Sequence, residues 1–277
     1  MPNHPTPAVR LSRRLLPWLM VAASPQAWAG CGPYEVAFYE FGPLYYRNAK
    51  GEPAGIDKDL VDELAQRSGC VLKGYLDSRP RIWERLSRGE LDITVSGIET
   101  PERGQQAEFV PYLRTRNVVL MRKALAQLIG SPEAFLAAPQ LTVVVVKRFS
   151  HGPYFDRWLD ELRGLRRVHE AADFETALRV FRAGRVDLML SHPITLPRDP
   201  EWMRDIERLD WAPQREQLLA SLVMSRSRVS AADRSRLRET LLAMLRDGVV
   251  DTILQRHLEP QSARNVRLPP AEPPLAR

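Results

Sequence analysis

Arg88-Gly89-Glu90-Leu91-Asp92-Ile93-Thr94-Val95-Ser96 and Ala183-Gly184-Arg185-Val186-Asp187-Leu188-Met189-Leu190-Ser191 carry one pattern twice and superpose without a gap. In each, a helix-like stretch stops at Gly, the residue that most easily takes the left-handed turn closing a helix. One residue later a short apolar strand begins, with Asp second and Ser at its far end. The repeat predicts two α/β lobes of similar build. Open α/β sheets bind ligands beyond the ends of such strands, so facing lobes would set Ser96 and Ser191 across one cleft.

At 277 residues the chain is long enough for one large domain or two small ones. Residues 1–29 read as a secretory signal peptide: Arg10, Arg13 and Arg14, apolar Leu15 to Ala23, then Ala27-Trp28-Ala29, with an apolar stretch too short to span a bilayer. Without those arginines the net charge falls from +6 to +3, which weakens any argument for nucleic acid as a partner. The expected location is outside the cytoplasm.

Two cysteines, Cys31 and Cys70, stand at the starts of expected strands. In an oxidising compartment such a pair favours a disulfide. The alternative is a lipid anchor at Cys31, because Trp28-Ala29-Gly30-Cys31 resembles a lipobox with Trp in place of Leu.

From residue 33 strand and helix patterns alternate, as in mainly parallel sheets flanked by helices. Strands are expected at 33–38, 70–75, 117–122, 141–146 and 217–224. Asp57 is expected to cap a helix running to Gly69, and Asp173 one carrying the stripe Phe174, Ala177, Leu178 and Phe181. A further helix from Ser230, with Asp233 closing a capping box, brings the globular part to about His257. Residues 261–277 read as a disordered Pro-rich tail.

Gly51-Glu52-Pro53-Ala54-Gly55-Ile56-Asp57-Lys58-Asp59-Leu60, followed in order by Trp83, the first repeat strand, Thr100-Pro101-Glu102-Arg103 and Phe109-Val110-Pro111-Tyr112, resembles the motif series of the bacterial extracellular solute-binding proteins of the polar amino-acid type, family 3. The resemblance runs from about residue 33 to 258. It implies a two-lobed periplasmic-binding-protein fold with two hinge strands, lobe 1 taking 30–115 plus 222–260 and lobe 2 taking 120–215. It also implies a non-enzymatic, monomeric receptor that hands a small-molecule solute to the membrane permease of an ABC importer.

In that family the Arg of T-P-E-R grips a ligand carboxylate, a role that carries over to Arg103 and suits the planar guanidinium fork. Where amino-acid binders place an Asp for the ligand ammonium, this chain has His192, which offers no fixed negative charge. Arg79 occupies a cleft position often aromatic in the family, and Lys147-Arg148 replace the usual Gly after strand 141–146. With Arg81 these would make a cationic cleft, to which Ser150 adds a hydroxyl and backbone N–H groups. Phe41 stands where the family stacks a ring on the ligand, with Tyr39, Tyr45 and Tyr46 as alternatives. The spacing from Ser96 to Thr100 is one residue short of the usual, which would turn Glu99 toward the cleft.

The expected ligand is therefore an anionic or polar, carboxylate-bearing solute. An enzyme on the same scaffold, resembling cyclohexadienyl dehydratases, and a sensory ligand-binding protein are the alternatives. No metal-ligand spacing, P-loop or G-x-G-x-x-G occurs, so neither metal nor cofactor is expected.

Overall fold

A computed structural model describes Met1 and residues 30–196, 200–212 and 216–269. Residues 2–29 of the expected signal peptide and the end of the tail from residue 270 lie outside the described residues. The strands are β1 (Tyr34–Phe38), β2 (Tyr46–Arg47), β3 (Pro53–Ala54), β4 (Leu72–Leu76), β5 (Ile93–Ile98), β6 (Ala107–Thr115), β7 (Val118–Arg122), β8 (Val143–Val146), β9 (Val168–Ala171), β10 (Leu188–Ser191), β11 (Ile206–Leu209) and β12 (Leu218–Ser225).

Two five-stranded sheets result, ordered β4-β1-β5-β12-β6 and β9-β8-β10-β7-β11. In each, three parallel strands are followed by one running antiparallel to them and an edge strand antiparallel to that one, and the repeat strands β5 and β10 hold the same third place. The chain passes between the sheets twice, from β6 to β7 and from β11 to β12.

The residues of the repeat explain its recurrence. Gly89 and Gly184 have φ of 68° and 67°, left-handed values that a side chain would strain. The Asp92 carboxylate accepts the Glu35 N–H at 2.9 Å, and Asp187 accepts the Thr142 N–H at 2.8 Å. Each Asp thus pins its repeat strand to the start of the neighbouring strand segment.

Cys31 and Cys70 form a disulfide with a Cα separation of 4.5 Å, tying the chain just before β1 to the chain just before β4. The Cys31 sulfur that a lipid anchor would use is engaged in this bond. Asp57 is not a helix cap. The helix Ile56–Ser68 has Gly55 at its N-cap, and Asp57 is buried inside its first turn. Asp173 and Ser230 do cap, each accepting a backbone N–H three residues on.

The expected tail is ordered at its start. Pro260–Val266 is a helix, because Ala263 and Val266 fall three apart and are buried against the core while Pro260 suits a first turn. Among the described residues no helix is long and apolar enough to cross a membrane.

Candidate ligand-binding cleft

The first wall of the cleft is built around Ser96, near the end of β5. Its backbone takes a left-handed φ of 49°, a conformation that a non-Gly residue holds only when its surroundings fix it. Here Tyr112 accepts the Ser96 N–H at 2.8 Å, and the Ser96 hydroxyl donates to both Asp57 carboxylate oxygens at 3.0 and 2.8 Å. Tyr112 donates to the same carboxylate at 2.5 Å. Burial outweighs these bonds and raises the Asp57 carboxyl to about 7. The Ser96 hydroxyl is therefore occupied inside its own lobe, and what the strand end offers to Arg79 is the carbonyl, which accepts its Nη2 at 3.1 Å.

Arg79 is 2% exposed. Its guanidinium carbon lies 4.1 Å from the centre of the Tyr39 ring, 4.9 Å from Trp83 and 5.4 Å from Phe149, a cation boxed by three π faces. Its Nε is buried with no hydrogen-bond partner. Arg103 lies 3.7 Å over the Trp83 ring and donates to the Ile98 carbonyl at 2.9 Å and, on the facing lobe, to the Arg148 carbonyl at 2.8 Å. Burial and then the neighbouring Arg79 charge lower Arg103 to about 9. Neither arginine forms an ion pair among the described residues.

The second wall is aromatic where it faces Arg79, with Asp173, Arg148 and Asp156 toward its edges. Phe149 packs 5.4 Å from Phe41, 5.0 Å from His151 and 5.4 Å from His192, and Phe41 meets Phe174 edge-on at 5.0 Å. Burial pushes both histidines down to about 3, so each is a neutral imidazole near pH 7. Both Nε2 atoms are buried and unpartnered, while His151 Nδ1 meets the Asn117 side-chain oxygen at 2.9 Å. Between these walls, at Tyr39, Phe41, Ser96, Phe149 and His192, the remaining gap is about 10 Å³, room for about one water. At the mouth, against Arg79, Phe41, Phe149 and Phe174, a cavity of about 350 Å³ opens. A second, of about 470 Å³, lies beside Arg103, Arg148, Ser150 and Asp156.

The structure brings Phe41, Arg79, Ser96, Arg103 and His192 to this seam. Ser150 lies at its edge, buried, with its hydroxyl donated to Asp156 at 2.7 Å. Lys147 and Glu99 are exposed and line none of these three cavities; the Glu99 carboxylate lies beside Gly104. Sequence reasoning missed Asp57, Trp83, Phe149 and Phe174 as parts of the site. Trp83 was visible as a member of the motif series and Phe174 as part of an apolar helix stripe, neither with a ligand role, and Phe149 carried no signal beyond its place after β8.

Two lobes of like topology facing each other over the buried Arg79 and the half-buried Arg103 define the two-lobed periplasmic-binding-protein fold. The chain belongs to the bacterial extracellular solute-binding proteins, family 3, whose model matches residues 35–260. It is similar to a cyclohexadienyl dehydratase of Pseudomonas aeruginosa, 36% identical over 77 residues, which cover 27% of this chain and 29% of that protein. It is also similar to a probable histidine-binding protein of Neisseria gonorrhoeae, 32% identical over 105 residues, 37% of this chain and 39% of that one. The matches thus span well under half the length of these relatives. Among solved structures, a mutant of ArgBP from T. maritima superposes with a TM-score of 0.67 over 81% of this chain and 94% of its own, at 18% identity, a likeness of fold.

Proposed function

We propose that the protein is a monomeric periplasmic receptor that closes its two lobes on a small carboxylate-bearing solute and delivers it to the permease of an ABC importer. The observation that carries this reading is the pair of guanidiniums on one wall, Arg79 buried and Arg103 half-buried over the same Trp83 ring, with no ion pair among the described residues. Two like charges taken out of water are costly unless an anion joins them, and a carboxylate matches the guanidinium fork. The neutral His192 supports the same reading, because it supplies no counter-charge for an amino-acid ammonium. Family membership and the disulfide, which requires an oxidising compartment, support export. Thermal-shift titration with succinate, L-lysine and glucose tests it: succinate is expected to raise the melting temperature, and stabilisation by L-lysine alone counts against it.

A second reading, an enzyme acting on a cyclohexadienyl acid, is favoured by the identity to the dehydratase. Dehydration needs a general acid within reach of the ligand, and the carboxylates lining the cleft mouth are Glu40, Asp77 and Asp173. Turnover of prephenate by the purified protein decides for it.

A further inference from the structure

The cavity at the cleft mouth is lined unlike a site for a free α-amino acid. Both lobes give it aromatic rings, Tyr39 and Phe41 from one side and Phe149 and Phe174 from the other, with Leu76 and Val146 completing its apolar surface. Phe41 sits at the junction, tilted 54° to Phe149 and nearly perpendicular to Phe174, the edge and offset arrangements into which a further ring fits. Arg79 is the buried charge in this lining, with its Nε unpartnered.

The remaining charged groups in this lining are already engaged, including Asp77, whose side chain is 7% exposed. Asp77 pairs with Arg81 at 3.3 Å, Asp173 accepts the Thr176 N–H at 2.7 Å as a helix cap, and the exposed Glu40 faces Arg47 at 4.0 Å. An ammonium entering here would stand beside the Arg79 guanidinium with no free carboxylate to answer it. At about 350 Å³ the cavity falls at the small end of ligand pockets, which suits a one-ring solute.

We propose that this chamber takes an aromatic carboxylate lacking an α-ammonium group, its carboxylate held by Arg79 and its ring packed among Phe41, Phe149 and Phe174. The assignment rests on the reading of the cleft as a carboxylate receptor and narrows it to a substrate class. It also divides labour between the two arginines. Arg103 donates to the Ile98 carbonyl of its own lobe and to the Arg148 carbonyl across the seam, whereas Arg79, bonded to the Val95 and Ser96 carbonyls through its Nη atoms, keeps an unpartnered Nε and lines the chamber as the anchor.

Calorimetric titration with three probes tests the proposal. Phenylpyruvate and L-phenylalanine share a ring and a carboxylate and differ at the α-carbon, where a ketone replaces the ammonium; succinate keeps carboxylates and lacks the ring. Phenylpyruvate is expected to bind at least about tenfold more tightly than either, since like-charge contact and a lost aromatic partner are each worth that much. Arg79→Gln is expected to weaken phenylpyruvate binding by at least about tenfold, and Phe174→Leu, which keeps an apolar side chain, to narrow its advantage over succinate.

L-phenylalanine binding as tightly as phenylpyruvate overturns the exclusion of ammonium and leaves the receptor reading intact. Succinate matching phenylpyruvate overturns the ring pocket and leaves the carboxylate reading intact. Binding of none of the three overturns both.

Discussion

Arg103 of the first lobe donates its Nη2 hydrogen to the backbone carbonyl of Arg148 in the second, 2.8 Å away. A side chain with one end stacked on Trp83 and the other bonded across the seam fastens the closed form. Hydrogen bonds from charged groups contribute about 1.5–3 kcal/mol. Arg103→Ala is therefore expected to shift the protein toward an open form by up to about that amount, seen as a larger radius of gyration in small-angle scattering and a change in Trp83 fluorescence. Arg103→Lys keeps the charge and loses the fork, and an intermediate shift is expected. Scattering indistinguishable from wild type in both variants would show that Arg103 does not fasten the lobes.

His192→Asp reverses the electrostatics of the facing wall. The imidazole lies 5.6 Å from Phe41 and 5.4 Å from Phe149, ring centre to ring centre, and feels the Arg79 charge. An Asp there would partly neutralise Arg79 and offer an ammonium its counter-ion. L-α-amino acids are expected to gain about tenfold or more in affinity, and simple carboxylates to lose as much, both read by calorimetry. A variant whose preference is unchanged contradicts the role given to His192.

Acid stability follows from the fully buried titratable groups. His151 and His192 titrate at about 3 in the native state against a reference of 6.5, so between those values the unfolded chain binds protons that the native state refuses, and stability rises with pH. Asp57 acts in the opposite sense: raised from 3.8 to about 7, it holds a proton in the native state that the unfolded chain has lost, and its contribution falls as pH rises over that range. From about pH 4.5 to 5.5 two histidines outweigh one carboxylate, and the excess fades as pH approaches 6.5. The net is one proton, a rise of about 1.4 kcal/mol per pH unit. Urea midpoints should climb across this window, climb more steeply in Asp57→Asn, and flatten in His192→Gln. A wild-type midpoint that falls with pH contradicts the assignment.

The Cys31–Cys70 bond spans 39 residues of sequence. Chain-entropy reasoning for a loop of that length gives about 4 kcal/mol at most. Cys31→Ser with Cys70→Ser is expected to lower unfolding stability by about 2–4 kcal/mol, and reductant should bring wild type to the same guanidinium midpoint. A midpoint insensitive to reductant would place the stabilisation elsewhere.

The parts of the fold legible in the sequence are those decided locally. Gly89 and Gly184 announce left-handed turns, Asp92 and Asp187 bond a strand start beside them, and Asp173 and Ser230 cap the helices they precede. Asp57 misleads because its position before an apolar stripe imitates a cap, while its carboxylate is drawn inward by Tyr112 and Ser96, 55 and 39 residues away. The arginines of the cleft are legible as a charge excess. That Arg79 is boxed by Tyr39, Trp83 and Phe149 is not, since Phe149 reaches it only when the second lobe folds against the first. The order of Pro260–Val266 hides behind a Pro-rich composition, because the packing of Ala263 and Val266 depends on a core built from distant sequence.

Calorimetric titration of the purified protein with phenylpyruvate and L-arginine side by side bears on the whole reading of the cleft as an anion site anchored by Arg79. Saturable binding of the acid with no heat from L-arginine is the expected result. Tight binding of L-arginine with no response to the acid would mean that the Arg79 guanidinium does not face the ligand and that the cleft serves a basic amino acid.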